Sequence, residues 1–316
     1  MDPEKCSALL KVLEVGNLSK AAGLLGYTPS GISRMMATLE QELGFPLLFR
    51  SKAGVAPTPE CTRMLPALKE LAAAGRTCRQ MAEHIRGLET GTVRVGSAYR
   101  QFYGILAQIL SEFGRQHPGI HVDIRMENST PLLQRLAAHE TDFCIVSRHE
   151  GDYLWTPLLV DDMVAALPLD HPLARAQAPA YPIARLEDDP FVEVFPGQDS
   201  DNARTLAQAQ VKPNVHFSVF DTLAASELVG AGLGVSLMNR IYAREFLGKL
   251  YVLPLEPRTT VEIGIALPND TVLSPAVSAF CDFAVPRLTA FARALAERCA
   301  REIGPADDTP AGSPQE

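Results

Sequence analysis

The sequence predicts an α/β chain in two parts, a small helical head carrying a short β-ribbon and a larger body of alternating strands and helices. Three observations predict it. At 316 residues the chain is long enough for two or more domains. Helical periodicity and helix caps dominate up to about residue 90. From Thr92 onward, short apolar strands alternate with helices, an order that implies a mostly parallel sheet with helices on both faces.

The head begins with a helix from about Glu4 to Val15, whose apolar face is Leu9, Leu10, Val12 and Leu13 and whose stop is Gly16. Asn17-Leu18-Ser19 offers cap chemistry for a short second helix, Ser19 to Leu25, in which Ala21-Ala22 lets another helix approach. Gly26-Tyr27 is the turn. Thr28 caps and Pro29 opens a third helix that runs to Leu43 and ends at Gly44. Ile32, Met36, Leu39 and Leu43 form its core face, and Ser30, Ser33, Arg34 and Thr38 lie off that stripe. Phe45 to Arg50 and Val55 to Thr58 read as two strands of a wing, turned by residues 51–54. Pro59 then opens a helix to about Leu88. Met64, Leu65, Leu68, Leu71, Cys78, Met81, Ile85 and Leu88 run along it as an apolar stripe. A helix of that length exceeds what one small domain needs, and reads as a connector through which two chains pair.

In the body, Val93-Gly96, His121-Met126 and Asp142-Val146 read as strands, with helices at Gln101-His117 and Pro131-His139 between them. Strands follow at Met163-Leu167 and Phe191-Val194, flanking a proline-rich loop. A helix spans Ala203-Gln210, a strand Val215-Val219, and a helix capped by Asp221 runs to Ala231. Gly232-Leu237 reads as a buried strand, Arg240-Phe246 as a short helix and Thr260-Leu267 as a strand. Leu273-Cys299 is a final helical region with a break expected near Pro286, and residues 304–316 have the composition of a disordered tail.

Composition is that of an ordinary globular chain, 47% hydrophobic and 21% charged. The formal net charge of -8 is unevenly spread: residues 1–90 carry 11 Lys+Arg against nine Asp+Glu, and the remainder 18 against 28. A slightly basic head on an acidic body fits DNA binding through a few placed cations. No secretory signal and no run of about 18 apolar residues is found, so a cytoplasmic protein with no membrane partner is expected. The six cysteines form no CxxC pair and have no histidine at zinc spacing. Reduced thiols are the expectation, with no metal and no cofactor.

Two helices, a short turn, and a third helix with small polar residues near its start make a helix-turn-helix. Such a helix fits the major groove and brings short donors and acceptors to base edges, while Arg50 and Lys52 on the wing reach flanking phosphates. Residues 5–90 resemble the DNA-binding domain of the LysR-type transcriptional regulators almost position by position. The resemblance is carried by Leu18-Ser19-Lys20-Ala21-Ala22, Gly31-Ile32-Ser33-Arg34, Leu39 to Gly44, Pro46 to Arg50, and Gly54-Val55 with Thr58. It implies that Ser30, Gly31, Ser33, Arg34 and Thr38 face the groove and that Ser19, Lys20, Arg50 and Lys52 touch the DNA backbone. The chain departs from the family at Pro29, where glutamine is frequent, at Ala37-Thr38, where a basic residue is frequent, and at Cys61-Thr62, where glycine is frequent.

The resemblance extends, in order of elements, over residues 92–300. It implies a winged helix-turn-helix (1–58), a linker and dimerisation helix (59–90) and an effector-binding domain (91–303) similar to periplasmic binding proteins. Lobe one is expected at 92–160 and 268–303 and lobe two at 161–267, joined by crossover strands near Val160-Ala166 and Glu262-Leu267. The expected partners are promoter DNA, a small-molecule effector, a second copy or a tetramer of this chain, and RNA polymerase if the chain activates. Effectors bind between such lobes at the carboxyl ends of strands, where helix N-termini meet. The junction residues are Ser97, Tyr99, Arg100, Ser129, Thr130, Ser147, Arg148, Glu193, Phe195, Asp221 and Thr222. Serine, threonine and arginine suit a carboxylate and the aromatics an apolar body, so an organic or aromatic acid is compatible, although Glu193 argues against a purely anionic ligand. The alternatives are an enzyme or a solute-binding protein on a two-lobed scaffold. No nucleophile elbow, phosphate loop or HExxH supports the first, and residues 1–90 are superfluous to the second. No catalytic residue is expected.

Overall fold

A computed structural model describes residues 1–51, 54–87, 89–269 and 272–303. Lys52, Leu88 and the expected tail therefore lie outside the described residues.

The head is α1 (Pro3–Val15), α2 (Leu18–Leu25), α3 (Pro29–Leu43), β1 (Leu48–Ser51) and β2 (Gly54–Pro57), followed by α4 (Pro59–Ile85). Each helix starts on a side-chain oxygen that accepts an orphan N–H: Asp2 from Glu4, Asn17 from Lys20, Thr28 from Gly31, Thr58 from Cys61, at 2.8 to 3.1 Å. The cap of α2 is Asn17, so Ser19 stands in the first turn. Gly16, Gly26 and Gly44 end the first three helices in the left-handed conformation. Leu9, Val12, Ala21, Ala22, Ile32, Met36, Leu39 and Leu68 pack as one core with no exposed surface. The first half of the α4 stripe belongs to this core: Leu68 is buried, and Met64, Leu65 and Leu71 pack against it. Only the later residues stay open, with Cys78 and Met81 exposed and Ile85 83% exposed. Gly75 lets α1 close on α4, because a Cβ there would lie 2.3 Å from Cβ of Pro3.

The body runs β3 (Gly91–Ser97), α5 (Tyr103–Gln116), β4 (Ile120–Met126), α6 (Ser129–Ala137), β5 (Phe143–Ser147), β6 (Tyr153–Leu167), α7 (Pro172–Arg175), β7 (Tyr181–Pro182) and β8 (Phe191–Val194). It continues with α8 (Asp201–Ala209), β9 (Val215–Val219), α9 (Thr222–Gly230), β10 (Ser236–Asn239), α10 (Arg240–Ala243), β11 (Tyr251–Glu256), β12 (Thr260–Pro268) and α11 (Pro275–Ile303). The main sheet is ordered β4-β3-β5-β12-β6-β11-β7, with β10 also on β6. It is mixed, not mostly parallel: β3 is parallel to β4 and β5, and β11 to β7, whereas β6, β10, β11 and β12 meet their other partners antiparallel. The alternation of strands and helices holds only within each lobe, and the strands that pass between lobes reverse direction.

β6 is the shared element. Its first part, to Asp162, pairs with β12, and Met163 to Leu167 pair with β10 and β11. One lobe gives way to the other at Asp161-Asp162. The expected return boundary at 267/268 is not where the chain comes back. β12 pairs along its whole length with β6 and over Ile263 to Ala266 with β5, so Glu262–Leu267 lies inside lobe one and the return falls near Thr259. An apolar strand pattern does not say which sheet the strand joins; only its ladder does. β11 is an additional strand, disguised in the sequence by Pro254 in its middle. The glycine-opened strand shortens to β10, because Gly232 and Gly234 take positive φ before it. The expected break at Pro286 does not occur. α11 is continuous through it, with Pro286 and Asp282 on the exposed side while Phe280, Ala284, Leu288 and Ala292 are buried. Lobe one is centred on these residues with Phe113 and Phe143; Phe280 meets both rings edge-on at 5.3 and 5.4 Å.

Candidate DNA interface and effector cleft

α3 presents its polar side outward. Ser30 and Arg34 are exposed, Gly31, Ser33 and Thr38 half-buried. Two of these are partly committed. The Gly31 N–H serves the Thr28 cap, and the Thr38 hydroxyl donates to the Arg34 carbonyl at 2.9 Å, which leaves it only an acceptor. Ser30 lies 3.2 Å from the Thr28 hydroxyl. From the wing, Arg50 donates to the Ser33 hydroxyl at 3.3 Å, so wing and helix form one surface. Ser19 and Lys20, in the first turn of α2, share a depression with Arg50 and Ser51. Two cations beside open helix N–H groups suit a phosphate. The ribbon is held to α1 by the Val55 N–H, which donates to the Gly16 carbonyl at 2.9 Å. That approach requires glycine at position 54, where φ is +130° and a Cβ would lie 2.7 Å from the same carbonyl oxygen. Lys52 lies outside the described residues.

The cleft between lobes holds five of the eleven junction residues: Tyr99, Ser129, Ser147, Phe195 and Thr222. Asn128, Ser200, Asp201, Met238, Asn239 and Tyr242 complete most of its wall. Side chains from the two lobes hold each other across it. Tyr99 Oη donates to Asp201 Oδ2 at 2.7 Å, and Asn239 donates to the same oxygen at 3.3 Å. Asn128 donates to Gln198 at 2.7 Å and Thr130 to Asp199 at 2.7 Å. Arg204, bound to Asp199 through 2.6 and 2.9 Å contacts, also reaches Nδ1 of His149 at 2.9 Å. The inner part of the cleft is therefore nearly closed, with about 90 Å³ of cavity, and beyond these contacts an outer hollow of about 600 Å³ opens between Ser147, Arg148 and His149 of one lobe and Asp201 and Arg204 of the other. These charges set the protonation states. Arg204 holds the Asp199 carboxyl down to about 2, while burial, with Arg204 nearby, lowers the His149 imidazole below its ordinary value. Burial and the neighbouring Asp201 carboxylate push the Tyr99 phenol well above its usual value, so it is a permanent donor.

The other junction residues face elsewhere. Ser97 is fully buried and donates to the Tyr99 carbonyl, shaping the turn. Arg100 pairs with Glu245, and Arg148 with Glu262 at 2.9 Å on the wall of the outer hollow, so neither expected cation enters the inner cleft. Glu193 accepts the Ser218 hydroxyl at 3.0 Å on the outside of β8. Asp221 is the cap of α9, accepting from the Leu223 N–H. Thr130 belongs to the interlobe contacts. The cleft residues beyond the expected set cluster at Asp199-Ser200-Asp201-Asn202. Their signal is Ser200 as the cap of α8, which places the helix start at Asp201, two residues before the Ala203 that the apolar pattern suggests. Asn239 and Tyr242 carry no local signal, because the apolar run that marks β10 in the sequence stops at Leu237.

The cleft wall thus combines carboxylates with helix starts. α6 has no side-chain cap, so its first N–H groups open toward the cleft beside Asn128 and Ser129, and the starts of α8 and α9 meet them from lobe two.

A winged helix-turn-helix joined by a helix to a two-lobed sensing domain defines a ligand-responsive DNA-binding transcriptional regulator. Residues 4–62 match the bacterial regulatory helix-turn-helix of the lysR family, and residues 86–289 the LysR substrate binding domain. The chain belongs to the LysR family of transcriptional regulators. It is 26% identical over 295 residues to the transcriptional dual regulator GltC of Bacillus subtilis, covering 90% of this chain and 97% of GltC. It is also 26% identical to the uncharacterised regulator YnfL of Escherichia coli, covering 85% and 93%. Its fold is that of full-length OxyR C199D from Pseudomonas aeruginosa, with a TM-score of 0.66 at 19% identity, covering 93% of this chain and 95% of that one. Among the described residues no helix is long and apolar enough to cross a membrane.

Proposed function

We propose that the chain acts in the cytoplasm as a homodimer, or a tetramer of paired dimers, whose cleft ligand sets the spacing of two α3 helices on promoter DNA, without catalysis. Residues 1–58 read DNA, 59–90 pair the chains through the open end of α4, and the two lobes beyond residue 91 sense. Recognition helices of such a pair sit about one DNA turn, roughly 34–36 Å, apart. RNA polymerase is the further partner if the chain activates.

The observation that carries this reading is the set of interlobe hydrogen bonds, Tyr99–Asp201, Thr130–Asp199 and Asn128–Gln198. They close the cleft through side chains that a ligand would have to displace or join, so ligand binding and lobe angle are one equilibrium. The residues also narrow the effector. Arg100 and Arg148 are paired outside the inner cleft and Arg204 is bound to Asp199, so a simple anion meets no cation there that is not already engaged. The open α6 N–H groups donate to a carboxylate, and Asp201 accepts from a hydroxyl or ammonium, while Phe195, Met238 and Tyr242 flank a compact apolar body. A hydroxy or amino acid fits all three. Calorimetric titration with a panel of such acids tests this: a binder should lose its affinity in Asp201→Asn, and binding unchanged by that substitution would place the effector elsewhere. Light scattering tests the assembly, for which a monomer at micromolar concentration would be fatal.

A further inference from the structure

A second cavity lies outside the cleft, between the far half of α4 and lobe one. Its volume is about 540 Å³, and its walls are mostly apolar, with Ala73 and Met81 on α4, Leu273 just before α11 and Val277 in its first turn. That volume is typical of small-molecule sites. Polar side chains interrupt the walls, Arg76 and Gln80 on α4 among them. Arg76 is half-buried there, and its Nη2 donates to the His139 carbonyl at 3.3 Å. The same carbonyl already accepts from Arg94 at 2.8 Å.

The nearest carboxylate is taken. Arg94 grips both oxygens of Asp142, Nε to Oδ2 at 2.9 Å and Nη2 to Oδ1 at 2.5 Å, and its backbone N–H adds a third bond at 2.8 Å. Among the described residues Arg76 has no carboxylate partner. Burial, with Arg94 close by, pushes its pKa down to about 10, the mark of a cation held where it is poorly solvated. One helical turn further on, Gln80 Oε1 is buried and accepts no hydrogen bond among the described residues. Residues four apart on a helix lie about 5–6 Å apart on one face. One face of α4 therefore offers a cation whose neighbouring carboxylate, Asp142, is already gripped by Arg94, and an idle acceptor, inside a largely apolar chamber.

We propose that this cavity is a second ligand site, taking a small organic anion with an apolar body. Its acid group pairs with Arg76, a hydroxyl or N–H on it donates to Gln80 Oε1, and its body fills the space between Met81 and Leu273. One wall is the linker helix and the other is the sensor, so the ligand fixes the angle between them independently of the cleft. It binds one arrangement better than others, which makes it a second input to the DNA-binding heads. A second copy's helix over Cys78 and Met81 is the competing occupant, since α4 also pairs the chains in the proposed dimer, and the reactivity of Cys78 in the ligand-free dimer separates the two.

The probe is 1-anilinonaphthalene-8-sulfonate, which carries an anion, an N–H donor and a fluorescent apolar body. Titrated into the full chain, it should bind saturably at one site per chain. Arg76→Gln should weaken it by about tenfold or more, the loss of a charge-assisted hydrogen bond. Ala73→Leu, which fills the cavity and leaves the charge, should weaken it as well, and Ser147→Leu in the cleft should not. 4-Hydroxyphenylacetate should displace the dye at concentrations where 4-hydroxyphenylacetamide does not. Cys78 gives a readout that needs no variant. It lines the cavity and is exposed, whereas the other five cysteines are buried. The dye should slow its reaction with a thiol reagent. Unchanged dye affinity in Arg76→Gln, loss in Ser147→Leu alone, or no protection of Cys78 by bound dye would each overturn the proposal. So would a Cys78 unreactive in the ligand-free dimer, which would show a second copy closing the cavity.

Discussion

Replacing Asp161 by asparagine should change how the stability of the sensor depends on pH. Asp161 stands where β6 passes from lobe one to lobe two, 2% exposed, and its Oδ2 accepts the Ile241 N–H at 3.1 Å in the first turn of α10. Burial raises its carboxyl from 3.8 to about 7, against the lowering effects of that N–H and of Arg240, with Asp162 adding to the rise. A carboxyl raised in the folded state favours folding in its protonated form. Its contribution is fully present below the unfolded value near 4 and is lost as pH rises through about 7. A rise of that size is worth about 4 kcal/mol, at about 1.4 kcal/mol for each tenfold change in proton affinity, and is an upper bound for a site that can relax. Asparagine keeps an oxygen for Ile241 and cannot ionise. Urea unfolding at pH 5.5, 7 and 8.5, followed by near-ultraviolet signals of the sensor, should show the gap between variant and wild type widen in the variant's favour by up to about 2 kcal/mol toward alkaline pH, the rest of the loss lying below pH 5.5. Other carboxyls, such as Asp199 and Glu127, are held low and slope the opposite way, but they cancel in the difference. A difference that stays flat from pH 5.5 to 8.5 would refute the reasoning.

Three further outcomes are expected. Arg34→Ala should lose about 1–3 kcal/mol on operator DNA and relax specificity, whereas equal losses on operator and random DNA would remove Arg34 from base reading. Gly54→Ala should unseat the wing, because both its φ of +130° and the 2.7 Å approach to Gly16 exclude a Cβ; filter binding should weaken on all DNA while far-ultraviolet helix content stays constant, and unaltered DNA affinity would count against a working wing. Ile85→Asp, at a site 83% exposed, should raise the dimer dissociation constant by about tenfold or more for the loss of one buried aliphatic side chain, as read by sedimentation; an unchanged constant would place the chain-pairing surface elsewhere.

The head is legible in the sequence almost residue by residue, and the reason is local. Thr28-Pro29, Thr58-Pro59 and the stops at Gly16, Gly26 and Gly44 act through backbone groups one turn away, so sequence neighbours decide them. The cleft is half legible for the same reason. Tyr99, Ser129, Ser147, Phe195 and Thr222 follow strands and precede helices, and that position alone points them inward. Arg100 and Arg148 have the same local signature, yet Glu245 and Glu262, more than a hundred residues away, draw them out of the inner cleft. Asp201 enters only because the lobes meet. The lobe boundary is not legible, because the side-chain pattern of β12 is the same whichever sheet it joins. The linker stripe misleads in a related way: Leu68 and Ile85 obey one period, but α1 covers the first and leaves the second open.

The central claim is that this chain reads specific DNA through α3 and its wing. The most direct test is selection of sheared genomic DNA from the source organism by the purified full-length chain, followed by competition of selected fragments against random duplexes over a salt series. The chain should retain a small set of fragments sharing a two-fold symmetric motif with half-sites about one turn apart, bound far more tightly than random DNA and lost in Arg34→Ala. Recovery of fragments with no common motif, bound no better than random duplex at any salt concentration, would contradict it.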